Sequence, residues 1–135
     1  MGLQAVTYAD VVAGVLAVTA RYAHAVDDGR ANDVVATFCA DGSADIPGQG
    51  VITGAAALRT FFAGQTPRGR SRHVVVNTHV TEWDAGQATA VSDLIVLGRA
   101  GDQGWSVRLV GRYHDTLHNG DGTWLFHSRT LRFAD

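Results

Sequence analysis

The chain has 135 residues, 46% hydrophobic and 18% charged, which is the length of a single domain, 1–135, and the balance of a globular protein. Its 11 basic and 13 acidic residues give a formal charge of −2, so nothing biases it toward nucleic acid or an anionic membrane. No basic segment precedes an apolar stretch at the N-terminus, and no apolar run approaches the roughly 18 residues of a bilayer span, so the expectation is a cytoplasmic protein without a membrane helix. All 11 basic residues are arginine, which excludes Schiff-base chemistry by a side-chain amine. The single cysteine, Cys39, excludes an internal disulfide and any CxxC pair. It follows the apolar run Val34-Val35-Ala36-Thr37-Phe38 and reads as a buried structural thiol.

Residues 7 to 28 carry Tyr8, Val11, Val12, Val15, Leu16, Thr19, Tyr22 and Val26 at helical spacing. Thr7 is placed to cap this helix with Asp10 as its capping-box partner, and Gly29 to end it in a left-handed conformation. A short helix over 33–39 follows, with Asn32 as its cap. Gly42, Pro47, Gly48 and Gly50 mark 41–53 as a short strand and a loop. Thr53 then caps a third helix through Ala57, Leu58, Phe61 and Phe62, closed at Gly64.

From residue 70 the period changes. Extended segments at 70–83, 87–99, 105–118 and 123–133 are separated by Asp84-Ala85-Gly86, Gly101-Asp102-Gln103-Gly104 and Asn119-Gly120-Asp121-Gly122, the residues of tight hairpins. Helices followed by an antiparallel meander make an α+β domain. Long strands curl, and helices laid on the concave face leave a pocket beneath them. In 105–118 the odd positions Trp105, Val107, Leu109, Gly111, Tyr113, Asp115 and Leu117 form the inward face. In 70–83 one face holds Ser71, His73, Val75, Asn77, His79, Thr81 and Trp83, the other Val74, Val76 and Val80; alternation alone does not say which is inward.

Among polar candidates, Asp27 lies beside the apolar stripe of the first helix and Asp28 on its solvated face. A carboxylate at the edge of an apolar pocket needs a partner to stay ionised. His114 and His118 share a strand face but sit about 13 Å apart, too far to share a zinc ion. The stretch 48–54 is neither a P-loop nor a dinucleotide fingerprint.

The segments Arg21-Tyr22-Ala23, Val26-Asp27-Asp28-Gly29-Arg30, Phe38-Cys39-Ala40-Asp41, Ile46-Pro47-Gly48, Arg72-His73-Val74-Val75-Val76-Asn77, Gly111-Arg112-Tyr113-His114-Asp115 and Gly122-Thr123-Trp124-Leu125-Phe126 resemble a SnoaL-like domain of the nuclear-transport-factor-2-like superfamily. That resemblance implies a cone-shaped α+β fold, N-terminal helices on a curved antiparallel sheet enclosing a pocket. Within the superfamily the chain is similar to the branch of scytalone dehydratase and hexachlorocyclohexane dehydrochlorinase, which pair an Asp at the end of the first helix with a His on a central strand. Asp27 and His73 match those positions. The tyrosine that precedes the aspartate in scytalone dehydratase is Val26 here, which argues against that substrate.

The resulting expectation is a cofactor-independent lyase or isomerase acting on a small apolar organic molecule. His73 is the general base, Asp27 orients it, and Tyr22, Asn77 and Tyr113 contact the substrate. No metal and no organic cofactor is called for. The alternative is a non-catalytic small-molecule-binding or accessory subunit of the same fold. The residues leave open whether Asp45, Asp115 and Arg129 line the pocket. A partly apolar outer sheet face points to a homodimer, with a trimer as the alternative.

Overall fold

A computed structural model of the chain describes residues 5–65 and 69–134. Three helices, α1 (Tyr8–Asp27), α2 (Ala31–Val35) and α3 (Ala55–Ala63), accompany six strands. The strands are β1 (Phe38–Ile46), β2 (Gly50–Thr53), β3 (Ser71–Trp83), β4 (Gln87–Gly98), β5 (Ser106–Asn119) and β6 (Trp124–Phe133). They form one sheet in the order β2-β1-β6-β5-β4-β3. Neighbours run antiparallel except β1 and β6, which are parallel.

Thr7 and Asp10 form the expected capping box, which satisfies two of the orphan N–H groups at the start of α1. At the other end Gly29 takes a left-handed φ of 69°, and the Arg30 N–H reaches back to the Ala25 carbonyl. This sharp stop leaves Asp27 as the last helical residue, facing inward. Val11, Val15, Val18, Tyr22 and Ala25 are buried at alternating spacings of four and three, the stripe that lays α1 across the sheet. By length and composition α1 would also suffice to cross a bilayer, which corrects the expectation that no segment is so apolar. In this fold that stripe packs against strands instead.

The second helix departs from expectation. It starts and ends earlier, at Ala31–Val35, and Phe38 and Cys39 belong to β1. Phe38 packs against Tyr22 and Phe126, so the sheet captures a segment whose local pattern suits a helix. Thr53 closes β2, and Gly54 rather than Thr53 stands at the start of α3.

Register shifts decide which side chains face the helices, and three of them bear on the site. In β3 the pairing slips between Val76 and His79, where Asn77 adopts a left-handed φ of 54°. In β5 it slips beside Leu97, so Arg108 is the extra residue between Val107 and Leu109. In β6 it slips opposite Thr116 and Leu117, leaving His127 as the extra residue. Each bulge adds one residue and so moves the following side chains to the other face. Val80 is therefore 3% exposed and in the core, not on the outer face with Val74 and Val76. Trp105 and Val107 are exposed rather than inward, whereas Leu109, Tyr113, Asp115 and Leu117 keep the inward face as expected.

Candidate active site

Asp27 and His73 meet where the end of α1 crosses the start of β3. The carboxylate Oδ1 lies 2.7 Å from His73 Nδ1. The backbone N–H of His73 also donates to both carboxylate oxygens, at 3.1 and 2.9 Å. β3 is the edge of the sheet, and Asp27 accepts the outward-pointing N–H that no further strand would pair. Asp27 is 7% exposed and sits at the negative end of the α1 dipole, an unfavourable place for an anion. The three donations from His73 offset that cost. A carboxylate only accepts, so Nδ1 carries a proton, and in the neutral ring Nε2 keeps the lone pair.

His73 stands on the wall of a cavity of about 290 Å³ between the helices and the concave face. Val26, Ala44, Ile46, Phe61, Phe62, Leu94, Val96, Leu109, Leu131 and Phe133 make most of its lining apolar. The polar lining consists of Tyr22, Gln65, Ser71, His73, Tyr113 and Arg129. Tyr22 packs edge-on against Phe38, Phe62, Tyr113 and Phe126. Burial raises the Tyr22 phenol above its ordinary range and raises Tyr113 further, well above 10. Both hydroxyls therefore stay protonated at neutral pH and can donate.

Arg129, 2% exposed, is turned inward by the bulge at His127. Its Nε donates to Asp115 Oδ1 at 3.0 Å and its Nη2 to Oδ2 at 3.3 Å. The guanidinium lies 3.6 Å from the Tyr113 ring centroid and 4.4 Å from that of Tyr22. Burial works against this cation, yet the charge and hydrogen bonds of Asp115 hold Arg129 protonated. Burial likewise pushes the Asp115 carboxyl up, against the pull of Arg129. Nη1 is buried and has no hydrogen-bond partner among the described residues.

Of the five residues assigned from sequence, His73, Tyr22 and Tyr113 line this cavity, and Asp27 stands outside its lining, in contact with His73. Asn77 does neither: it lies on the exposed outer side and donates to Asp93 at 2.9 Å. Asp45 lies 3.5 Å from Arg132 and is not part of the lining. Asp28 is exposed near Arg30. Cys39 is half-buried, and burial followed by Asp41 raises its thiol pKa. His118 of β5 and His127 of β6 stack 4.3 Å apart and are not part of the cavity lining. Among the described residues no three His, Cys, Asp or Glu side chains are grouped to hold a metal. The residue that sequence reasoning left unassigned is Arg129. Its signal was the switch from even apolar positions, Trp124 and Phe126, to odd ones, Leu131 and Phe133.

The cone of helices on a curved sheet, with a polar pair set into an apolar pocket, defines the NTF2-like, cystatin-like class of α+β folds, to which similar solved structures belong. The SnoaL-like domain pattern matches residues 8–130, and the chain belongs to that family. A function-unknown protein of Mycobacterium tuberculosis is 28% identical, with a TM-score of 0.82 over 91% of this chain and 71% of that one. A putative scytalone dehydratase from Novosphingobium aromaticivorans is 22% identical, with a TM-score of 0.79 over 92% of this chain and 84% of that one. ActVI-ORFA from Streptomyces coelicolor is 24% identical, with a TM-score of 0.81 over 91% and 96% of the two chains. Among proteins of curated function none matches this chain.

Proposed function

We propose that the protein is a cofactor-independent lyase or isomerase that removes a proton from a carbon next to a carbonyl in a small, mainly apolar substrate. The observation that carries this reading is the 2.7 Å Asp27–His73 contact with the imidazole on the cavity wall. His73 Nε2 takes the proton, and the imidazolium that forms is stabilised by Asp27, which also fixes the ring's orientation. Negative charge then develops on the substrate oxygen. Arg129 and Tyr113 line the same cavity, and the fixed charge of the guanidinium would stabilise it. Returning the proton to another carbon completes an isomerisation; loss of a β-substituent completes an elimination.

The test is hydrogen–deuterium exchange at the α-carbon of 1-tetralone in D2O, followed by proton NMR. Exchange above the buffer rate, reduced about 10²- to 10⁴-fold in His73→Ala, is the expected result. Binding of 1-tetralone with no exchange above buffer would favour the non-catalytic pocket protein.

A further inference from the structure

The bulge in β5 places a second arginine, Arg108, on the concave side, next in sequence to Leu109 of the cavity wall. Gly98 is buried and pairs with Ser71 on β3 and Ser106 on β5. Ser71 lines the cavity, as do Val96 and Leu109 next to this point, so Gly98 lies on the same face. A methyl group placed on Gly98 would fall 2.7 Å from Arg108 Cγ and 2.8 Å from its Nε. The Arg108 side chain thus crosses the concave face over Gly98, and the missing Cβ makes room for it. Without the extra residue, Arg108 would alternate to the outer face with Val107's neighbours on β4.

Two other arginines at this end of the sheet, Arg72 and Arg99, are held differently. They lie over the exposed ring of Trp105, at 5.5 and 5.0 Å, and Arg99 Nε donates to the Gly69 carbonyl. Elsewhere Arg112, Arg129 and Arg132 each meet a carboxylate. Arg108 is exposed and has no carboxylate partner among the described residues. The charge on Arg129 is matched by Asp115; that on Arg108 is unmatched.

We propose that Arg108 is a specificity residue that selects ligands bearing a carboxylate on an apolar body. The body fills the cavity, whose largely apolar lining disfavours a free anion, and the carboxylate stays at the rim on the guanidinium. This rests on the reading of the cavity as the seat of an organic ligand, and adds that the ligand is amphipathic with its charge at the mouth.

The pair 1-naphthoate and 1-naphthamide tests it, because the two match in shape and differ in charge. NMR titration of the intact protein should give a dissociation constant about fivefold lower for the acid than for the amide, with the gap shrinking at high salt. Arg108→Gln keeps the stem over Gly98 and should abolish the preference while leaving amide binding unchanged. Arg108→Glu should reverse the preference, and Arg21→Gln, on the exposed side of α1, should keep it. A preference that survives in R108Q, or its absence in the unaltered protein while the amide still binds, would overturn the role of Arg108 alone. Failure of both compounds to bind would overturn the cavity reading and this proposal with it.

Discussion

Two carboxylates on the cavity side of this molecule have each recruited a nitrogen base, and the outcomes differ. Asp115 grips Arg129 through two hydrogen bonds within the sheet, both side chains nearly inaccessible. Asp27 grips His73 across the junction of a helix end and an edge strand, through one ring nitrogen and through the backbone N–H, which reaches both carboxylate oxygens. The guanidinium does not give up its proton under any ordinary condition, so the first pair fixes a charge. Imidazole can hold or release one near neutrality, so the second can move a proton. One fold thus sets a guanidinium and an imidazole on the wall of the same apolar space.

The comparison breaks most severely if the fixed pair is split. Arg129→Met leaves Asp115 buried without a partner and should destabilise the fold by about 3–5 kcal/mol in chemical denaturation. Converting both, Asp115→Leu with Arg129→Met, should recover most of that loss, since two apolar groups leave no stranded charge. A double variant no more stable than the single would show that the pair stabilises more than it costs to bury.

Alkali should act on the same region. Tyr22 and Tyr113 have folded-state pKa values raised by burial, so the unfolded chain loses these protons first. Stability linked to them is fully present below about pH 10 and falls as pH rises toward and through the folded values. Denaturation midpoints at pH 9 and 11 check this, and Tyr113→Phe should flatten the decline. At the other pair, Asp27→Asn keeps the shape and one acceptor for the His73 N–H. It should cost only about 1 kcal/mol of stability while lowering proton-transfer activity about 10²- to 10⁴-fold. Loss of folding in that variant would make Asp27 a structural anchor.

Much of this was legible in the sequence. The capping box at Thr7 and Asp10, the stop at Gly29 and the polar hairpin breaks are local signals, and each reappears in the structure. The Asp27–His73 pairing was legible through family resemblance alone, since 46 residues separate the two and no periodicity links them. What was lost were the bulges. Counting alternate residues through β3 sends Asn77 inward with His73, but the left-handed turn at Asn77 reverses the order and puts Thr78 and Val80 inside. The same error hid Arg129 and Arg108. Apolar residues that switch parity along one strand, Val75 to Val80 or Phe126 to Leu131, are the trace a bulge leaves.

The correction at Val80 leaves Val74, Val76, Val107 and Val110 exposed on the outer side. Such a face suits burial against a second copy, and light scattering at micromolar concentration should give twice the 14.3 kDa chain mass; a monomer would contradict it.

The account turns on which nitrogen of His73 carries the proton. Nitrogen-15 NMR of the neutral imidazole reads this directly. The expected spectrum has Nδ1 protonated, held by Asp27, and Nε2 with the shift of an unprotonated nitrogen, and Asp27→Asn should weaken that preference or reverse it. A proton on Nε2 in the unaltered protein would mean that the carboxylate does not set the tautomer and that no base faces the substrate.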